Sequence, residues 1–593
     1  MKLLFICASL LLLTATARAA SPWPDYQILE WQPRTPQQLA TLKSIGVTGG
    51  MAPINREAGT FDPNLSSTAA MRAAGMRYYI ENTATDFYSA YHRWMPNHPI
   101  GARFAALQAR YKADPSDLSV FIRDPGLSDP AWLTRIADRL TAMVNAARAD
   151  HPVYYSLGDE TGIAELAAPW DFDLSPSSLA GFRAWLQSQY SDLTALNAEW
   201  GTRYTDWDQV KPELTDATLS RTDGNYAAWS DFKAWMDVAF ARAVRAGTDA
   251  VHRADPSALA AIEGAQVPGW GGYDYTRLAG TVDVMEIYDT YQNLPIVHSL
   301  NPSLVPLTTA FGGDPQQLHA IWRELLRGAR GVVLWDDQNR IVDKNGRLGP
   351  AGERYAPVFS MLRGTPGQAV LASKTAYDPV AILYSPPSFR VQWLLDQHAD
   401  RTTWVTRSLD QDDVGNAQRV GLAQFGNSLA HLGITPRYIG PDQLAGDALT
   451  RFKVLILPHV IALSGAEADA IRGFVAQGGR LIADVSSGGF DAHGKRDTAT
   501  SLADLFDGSR VAIVPPADRS ALRATLARDD VVPAFSTSTD DVQCFVFDDG
   551  ARTIVAVQRD FARHAATEHV MLTLPHPMNV TDLMSAHALG QMT

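Results

Sequence analysis

The chain has 593 residues, 46% of them hydrophobic, and a formal charge of −13. That length supplies enough apolar surface for large cores. The acidic balance speaks against nucleic acid or an anionic membrane as partner and suits a neutral or cationic ligand.

The N-terminus reads as an export signal, with Lys2, an apolar run from Leu3 to Leu13, and Ala17-Arg18-Ala19 as a small-x-small cleavage site. Residues 1–19 are expected to leave, so that the mature protein begins near Ala20 in the periplasm or outside the cell. The run is too short to span a bilayer, and nothing later is long enough. Cys7 lacks the small residues that precede a lipoprotein cysteine. It departs with the signal, leaving Cys544 alone and no disulfide possible within the chain.

From residue 40 to about 340, β-prone runs alternate with helical patterns. The runs are Gly46 to Gly49, Met76 to Glu81, Ser119 to Arg123, Val153 to Leu157, Leu259 to Glu263, Val282 to Tyr288, Leu304 to Thr309 and Gly331 to Trp335. Strands each followed by a helix in this number predict a (β/α)8 barrel over residues 20–372. The helix after the fourth run starts cleanly, with Ser175 as N-cap, Pro176 at its first position, and Leu179, Phe182, Trp185 and Leu186 on one face.

A Gly- and Pro-containing stretch between 345 and 375 marks an exit from the barrel. Residues 373–528 then alternate again, with strands at Val380 to Tyr384, Thr435 to Ile439, Val454 to Leu457 and Leu481 to Asp484. This predicts a flavodoxin-like doubly wound sheet. It has no GxGxxG or Walker loop for a nucleotide and no Cys for an amidotransferase elbow, so it reads as a structural or oligomerisation unit. Residues 529–593 alternate like antiparallel strands and predict a small β-sandwich.

The chemistry concentrates at Tyr154-Tyr155-Ser156-Leu157-Gly158-Asp159-Glu160. A strand that stops at a glycine and two acids is how barrel enzymes present catalytic groups at their C-terminal face. The segment Phe182-Arg183-Ala184-Trp185-Leu186, Tyr190 and Leu196-Asn197-Ala198-Glu199-Trp200-Gly201-Thr202 closely resembles family 42 glycoside hydrolases, β-galactosidases with a trimerisation domain. The stretch from Leu318 to Val332 is similar to the helix leading into that family's eighth strand, and the unit from Val380 to about Gly489 to its trimerisation domain. The resemblance places the general acid/base on Glu160 and implies a possible homotrimer.

Three departures accompany it. Asp159 stands where the family has an Asn that bonds the sugar 2-hydroxyl; its charge beside Glu160 is expected to raise that carboxyl's pKa and keep the acid protonated. The family's nucleophile ends strand seven, but here that strand reads Val305-Pro306-Leu307-Thr308-Thr309-Ala310-Phe311, without a carboxylate. The family's cysteine zinc cluster is missing too.

A retaining glycosidase needs a second carboxyl about 5–5.5 Å from the first, whereas about 6.5–9.5 Å gives inversion. Glu286 is the leading candidate, with Tyr288 placed to bond it. Glu263 comes next, then Asp336 and Asp337. A sugar-binding shell is drawn from Asp159, Glu81, Asn82, Arg123 with Asp124, Trp270, Tyr273, Tyr288, Trp335 and Asp336, with Trp335 as stacking platform. His92, His98 and His319 show no metal-ligand spacing, so no metal and no cofactor is expected.

The sequence thus predicts an exported retaining glycoside hydrolase acting on an oligosaccharide or polysaccharide with β-linked galactose or another β-configured sugar. Two alternatives stand beside it: a non-catalytic carbohydrate-binding protein on the same barrel, and a polysaccharide lyase, for which the net charge offers no basic cleft.

Overall fold

The computed structural model describes residues 23–592 apart from 94–98, 398–402, 407–414, 507 and 562–568. The expected signal and His98 lie outside the described residues.

Eight parallel strands close into a barrel in sequence order. They are β1 (Gln27–Glu30), β2 (Gly49–Ala52), β3 (Arg77–Ile80), β4 (Tyr155–Ser156), β5 (Ala260–Ala265), β6 (Val284–Ile287), β7 (Val305–Phe311) and β8 (Gly331–Trp335). Closure comes from β1 on β8, with Gln27 opposite Gly331 and Glu30 opposite Leu334.

The count of eight matches expectation through two compensating errors. Gln27–Glu30 is a strand the sequence reading missed, and Ser119 to Arg123 is not one. Residues Leu118–Phe121 form a 3-10 turn capped by Asp117, with Val120 and Phe121 buried against the outer helices. The run at Gly46 belongs three residues later, at Gly49–Ala52.

The barrel interior is filled in layers. Leu29, Met51, Tyr79, Tyr154, Ala261, Val284, Leu307 and Val333 belong to one buried cluster to which every strand region contributes. Outside, the helix Ala227–Ala254 runs 28 residues and buries 21 of them, as a helix packed on nearly every side must. It carries Lys233 to Asp171 at 2.7 Å and Asp237 to Arg390 at 3.6 Å. The helix Pro176–Gln189 begins as its sequence predicts, with Ser175 accepting from the amide of Ser178.

A second sheet holds five parallel strands in the order 437–439, 380–383, 454–457, 480–483, 511–513. The second strand in sequence lies outside the first and the rest follow on the other side, which is the flavodoxin-like arrangement. Near the C-terminus, Val542–Asp548 pairs antiparallel with Thr553–Arg559 and with Lys374–Thr375, and the remaining strands form two-stranded ribbons. Among the described residues no helix is long and apolar enough to cross a membrane.

Candidate active site

Successive residues of a strand face opposite sides, so the positions two beyond the packed interior layer lie one step nearer the mouth. From β1, β3, β5, β6, β7 and β8 those positions are Trp31, Glu81, Glu263, Glu286, Thr309 and Trp335. Three carboxyls and two indoles therefore share one layer. Strand seven contributes a hydroxyl to it.

Glu160 follows β4 with φ of +46°, a left-handed backbone that is strained for a residue bearing a side chain. Its amide donates to the Glu263 carbonyl at 2.9 Å and the Glu263 amide donates back to the Gly158 carbonyl at 3.0 Å, so the loop is pinned to β5. Gly264 makes the fit possible. It has φ of +62°, and a Cβ there would lie 2.5 Å from Glu160 Cγ. The β5–β6 register shifts between Ile262 and Ala265, and the bulge turns the Gly264 amide toward Glu286, donating to Oε2 at 2.5 Å. Glu160 and Glu286 thus flank a single glycine.

The Glu160 carboxyl receives two donors. Tyr288 Oη donates to Oε1 at 3.0 Å, and His92 Nε2 lies 2.5 Å from Oε2. The other ring nitrogen of His92, Nδ1, lies 3.0 Å from Glu165 Oε1. Burial pulls the His92 pKa down, but the bonds and charges of Glu160 and Glu165 outweigh it and raise it to about 9. Burial likewise works to raise Glu160, yet His92 and Tyr288 hold it below the ordinary carboxylate value. This reverses the expectation that Asp159 would raise it. Asp159 is itself pushed well up, by burial and then by the charges of Glu160 and Glu263. An acid that titrates first into its neutral form adds little charge beside Glu160.

Below lies a crowd of acids. Glu81, Glu263 and Glu286 are between 2% and 4% exposed. Tyr154 Oη donates to Glu263 Oε1 at 2.6 Å, and its ring stacks on Tyr79 at 4.6 Å. Glu81 rises well above the ordinary range, through burial first and then through the charge of Glu263. Glu286 also rises, by burial first and then by Glu263 and Asp159, against the Gly264 bond that favours its ionised form.

Several expected ligands do other work. Arg123 is 1% exposed and spends its guanidinium on the carbonyls of Ile163 (2.7 Å), Phe87 (2.9 Å), Gly162 (3.2 Å) and Pro125, clamping loops because no strand end precedes it. Asp124 instead lies 3.3 Å from Arg103 on the exterior. Trp270 is buried among Trp229, Phe389 and Trp393, at 5.1–5.8 Å between ring centroids, and is no open platform. Tyr273 is fully buried and donates to the Thr161 carbonyl. Asp336 bonds Arg34 at 3.0 Å and the amides of Arg340 and Ile341, so it holds the loop after β8; Asp337 is exposed. Tyr288 is at the site but bonds Glu160 rather than Glu286. Asn82, with φ of +58°, accepts from the Asp159 amide at 3.1 Å and from Thr85.

Sequence reasoning also missed partners. Trp31 packs on Trp335 with ring centroids 4.4 Å apart, both half-buried, so the platform is a pair. Phe311, opposite Trp335 across the β7–β8 ladder, is 49% exposed at the rim. Glu30 ends β1 fully buried on Arg34; burial foremost raises it to about 7. Their signal was the unread first strand. His92 had no signal at all beyond being a histidine in a loop.

The arrangement offers paired carboxyls in unlike environments, a stacking rim and no described cluster of metal-ligating side chains. The family model described as "Beta-galactosidase", of the family 42 glycoside hydrolases, matches residues 155–318. The β-galactosidase BgaB of Geobacillus kaustophilus is 22% identical over 348 residues, covering 52% of this chain and 48% of that protein. The chain therefore spans about half the length of the curated relatives it matches. Among solved structures, the β-galactosidase from Bacillus circulans sp. alkalophilus superposes with a TM-score of 0.68 at 13% identity, covering 96% of this chain and 97% of that one. A family 42 β-galactosidase from G. stearothermophilus gives 0.65 at 13% identity over 96% and 98%. An exo-carrageenase of the family from Bacteroides ovatus gives 0.55 at 11% over 93% and 78%. At these identities the structural likenesses concern the fold. The chain resembles the family 42 glycoside hydrolases in sequence over residues 155–318 and in architecture along nearly its whole length.

Proposed function

We propose that this relative of the family 42 enzymes is a β-glycoside hydrolase of β-galactosidase type that works by double displacement, with Glu160 as acid/base and Glu286 as nucleophile. The observation that carries the reading is that both carboxyls flank Gly264, which bonds one and makes room for the other. A retaining pair must lie on the order of 5 Å apart, and one shared glycine is a spacer of that scale. The Gly264 amide offers Glu286 the bond its ionised form prefers, and the cationic character that develops at the anomeric carbon favours that form further. Glu263, held by Tyr154, lies beside Glu286 in the same layer and completes the acidic wall of the site.

The Trp31–Trp335 pair and Phe311 give the apolar face of a pyranose something to stack on. A neutral sugar meets no repulsion from the acidic crowd, whereas a uronate would, which disfavours a lyase. β-Galactosides are the first substrates to try, with other β-configured sugars next. The N-terminal sequence supports export, and family resemblance alone supports a homotrimer through the doubly wound unit.

A panel of aryl β-glycosides tests the activity, and a 2-deoxy-2-fluoro glycoside of the sugar that responds tests the assignment. The trapped sugar is expected on the peptide carrying Glu286. A label on Glu160 would exchange the two roles, and a label on Glu263 would move the nucleophile one strand. Binding without turnover, unchanged in Glu160→Gln, would replace the hydrolase by a carbohydrate-binding protein.

A further inference from the structure

Glu160 poses a difficulty for its proposed role. A general acid must bring a proton to the leaving oxygen, yet this carboxyl accepts from two donors that both favour its ionised form. The proton must therefore be kept elsewhere.

The geometry of His92 shows where. Its two ring nitrogens each face a carboxylate, Nε2 at Glu160 Oε2 (2.5 Å) and Nδ1 at Glu165 Oε1 (3.0 Å). A neutral imidazole carries one N–H and one lone pair, and a lone pair aimed at a carboxylate is repelled by it. With both partners ionised, the form that the two donors on Glu160 favour, only the imidazolium satisfies both contacts. The ring is 13% exposed, Glu165 14% and Glu160 25%, so all three are largely withdrawn from water. Accordingly its pKa lies near 9, against the downward pull of burial. The charged and titratable groups around it are Glu160 with Asp159 beside it, Glu165 farther along the same loop, and Tyr288, which reaches Glu160 from beyond β6.

Building on the hydrolase reading, we infer that His92 is the proton store of the acid/base step, a positioning and relay residue that charges Glu160 from behind. In the first displacement the glycosidic C1–O bond breaks and a C1–O bond to Glu286 forms. The proton of His92 Nε2 passes to Glu160 as Glu160 protonates the departing oxygen. The imidazole is left neutral beside a carboxylate. In the second displacement Glu160 takes a proton from the attacking water and the proton returns to Nε2. The new C1–OH forms, the bond to Glu286 breaks, and the starting charges are restored.

The test compares wild type with His92→Gln, which keeps a donor toward Glu160 but cannot titrate. On a sugar or alkyl leaving group, which needs a proton, turnover is expected to fall about a hundredfold, in the range of a general-acid contribution. On a dinitrophenyl leaving group, which needs none, the glycosylation step is expected to stay within about threefold. The alkaline limb of kcat/KM, near pH 9 in wild type from the His92 value, is expected to move down to where an isolated carboxyl titrates. A uniform loss across leaving groups with an unmoved alkaline limb would overturn the inference and leave His92 a purely structural residue. Should the variant fail to fold, ring-15N histidine spectra of the wild-type protein decide. Two protonated nitrogens at neutral pH, in the signal that His92→Asn removes, support the store, and one protonated nitrogen refutes it. Loss of turnover on every β-glycoside would instead remove the hydrolase reading, and this inference with it.

Discussion

Two histidines in this protein sit against carboxylates and are raised to about 9, one at the barrel mouth and one where the second sheet meets the barrel. At the junction, Asp231 is 2% exposed and every oxygen is used. Tyr190 Oη and Trp200 Nε1 donate to Oδ2 at 2.6 and 2.8 Å, and His493 reaches Oδ1 at 2.6 Å from the hairpin turn of the second unit. At the mouth, Glu160 sits on left-handed backbone, both oxygens of Glu81 are buried without a hydrogen-bond partner, and Glu286 has a single amide for company. The same pairing of residues serves opposite ends. A satisfied network fixes one arrangement, whereas a crowded and strained one keeps protons movable, which is the condition of acid/base chemistry.

Substitutions separate the two. The largest effect is expected from Glu160→Gln, a loss of about 10³-fold in kcat/KM on substrates with poor leaving groups, with a small fall in melting temperature because the fold holds this carboxyl ionised against His92 and Tyr288. Asp231→Ala is the mirror experiment. Removing the centre of a buried network costs about 3–5 kcal/mol in urea or guanidinium unfolding, while the folded fraction keeps its KM. Gly264→Ala is expected to fall between, since a Cβ at 2.5 Å from Glu160 Cγ and φ of +62° forces the catalytic loop to shift. A tenfold loss in kcat from roughly 1.4 kcal/mol of lost transition-state stabilisation is the scale to look for in steady-state kinetics.

The smallest effect is the pH dependence of the junction. The folded-state pKa of His493 lies above its ordinary value of 6.5, because the charges of Asp231, Asp491 and Glu199 outweigh burial. Its contribution is therefore full below pH 6.5 and is lost as pH rises through about 9. Denaturation midpoints measured across pH 6–10 should decline at the alkaline end, and His493→Gln should flatten that slope. An equal slope in the variant would assign the decline to other groups.

Legibility followed the physics of each signal. The barrel was readable because alternation of apolar strands and amphipathic helices is written locally, and the position of Glu160 past the fourth strand because a strand ending in Gly-Asp-Glu is a local event. Gln27–Glu30 was missed because four residues close to the N-terminus carry too little period to register, and Trp31 and Glu30 went with it. Ser119 to Arg123 misled because its Val, Phe and Ile favour a strand, whereas Val120 and Phe121 bury a 3-10 turn and Ile122 lies exposed beyond it. Trp270 and Arg123 have the composition of sugar ligands; only the packing of Phe389 and the orphan carbonyls of the 162–163 loop reveal what they hold. His92 was out of reach, since its two carboxylate partners lie 68 and 73 residues away and nothing local records their convergence.

The segment by which this chain most resembles the family, Leu196 to Thr202, ends a helix at Gly201 in left-handed backbone and sends Trp200 into the Asp231 junction. It describes how a barrel is bolted to its neighbour, and Trp200 bonds Asp231 rather than any carboxyl of the barrel mouth. Genome searches anchored on that phrase will therefore gather proteins by a common chassis rather than by their chemistry. Catalogues of such proteins are better sorted by what each places around the bulged glycine of strand five than by the phrase that retrieved them.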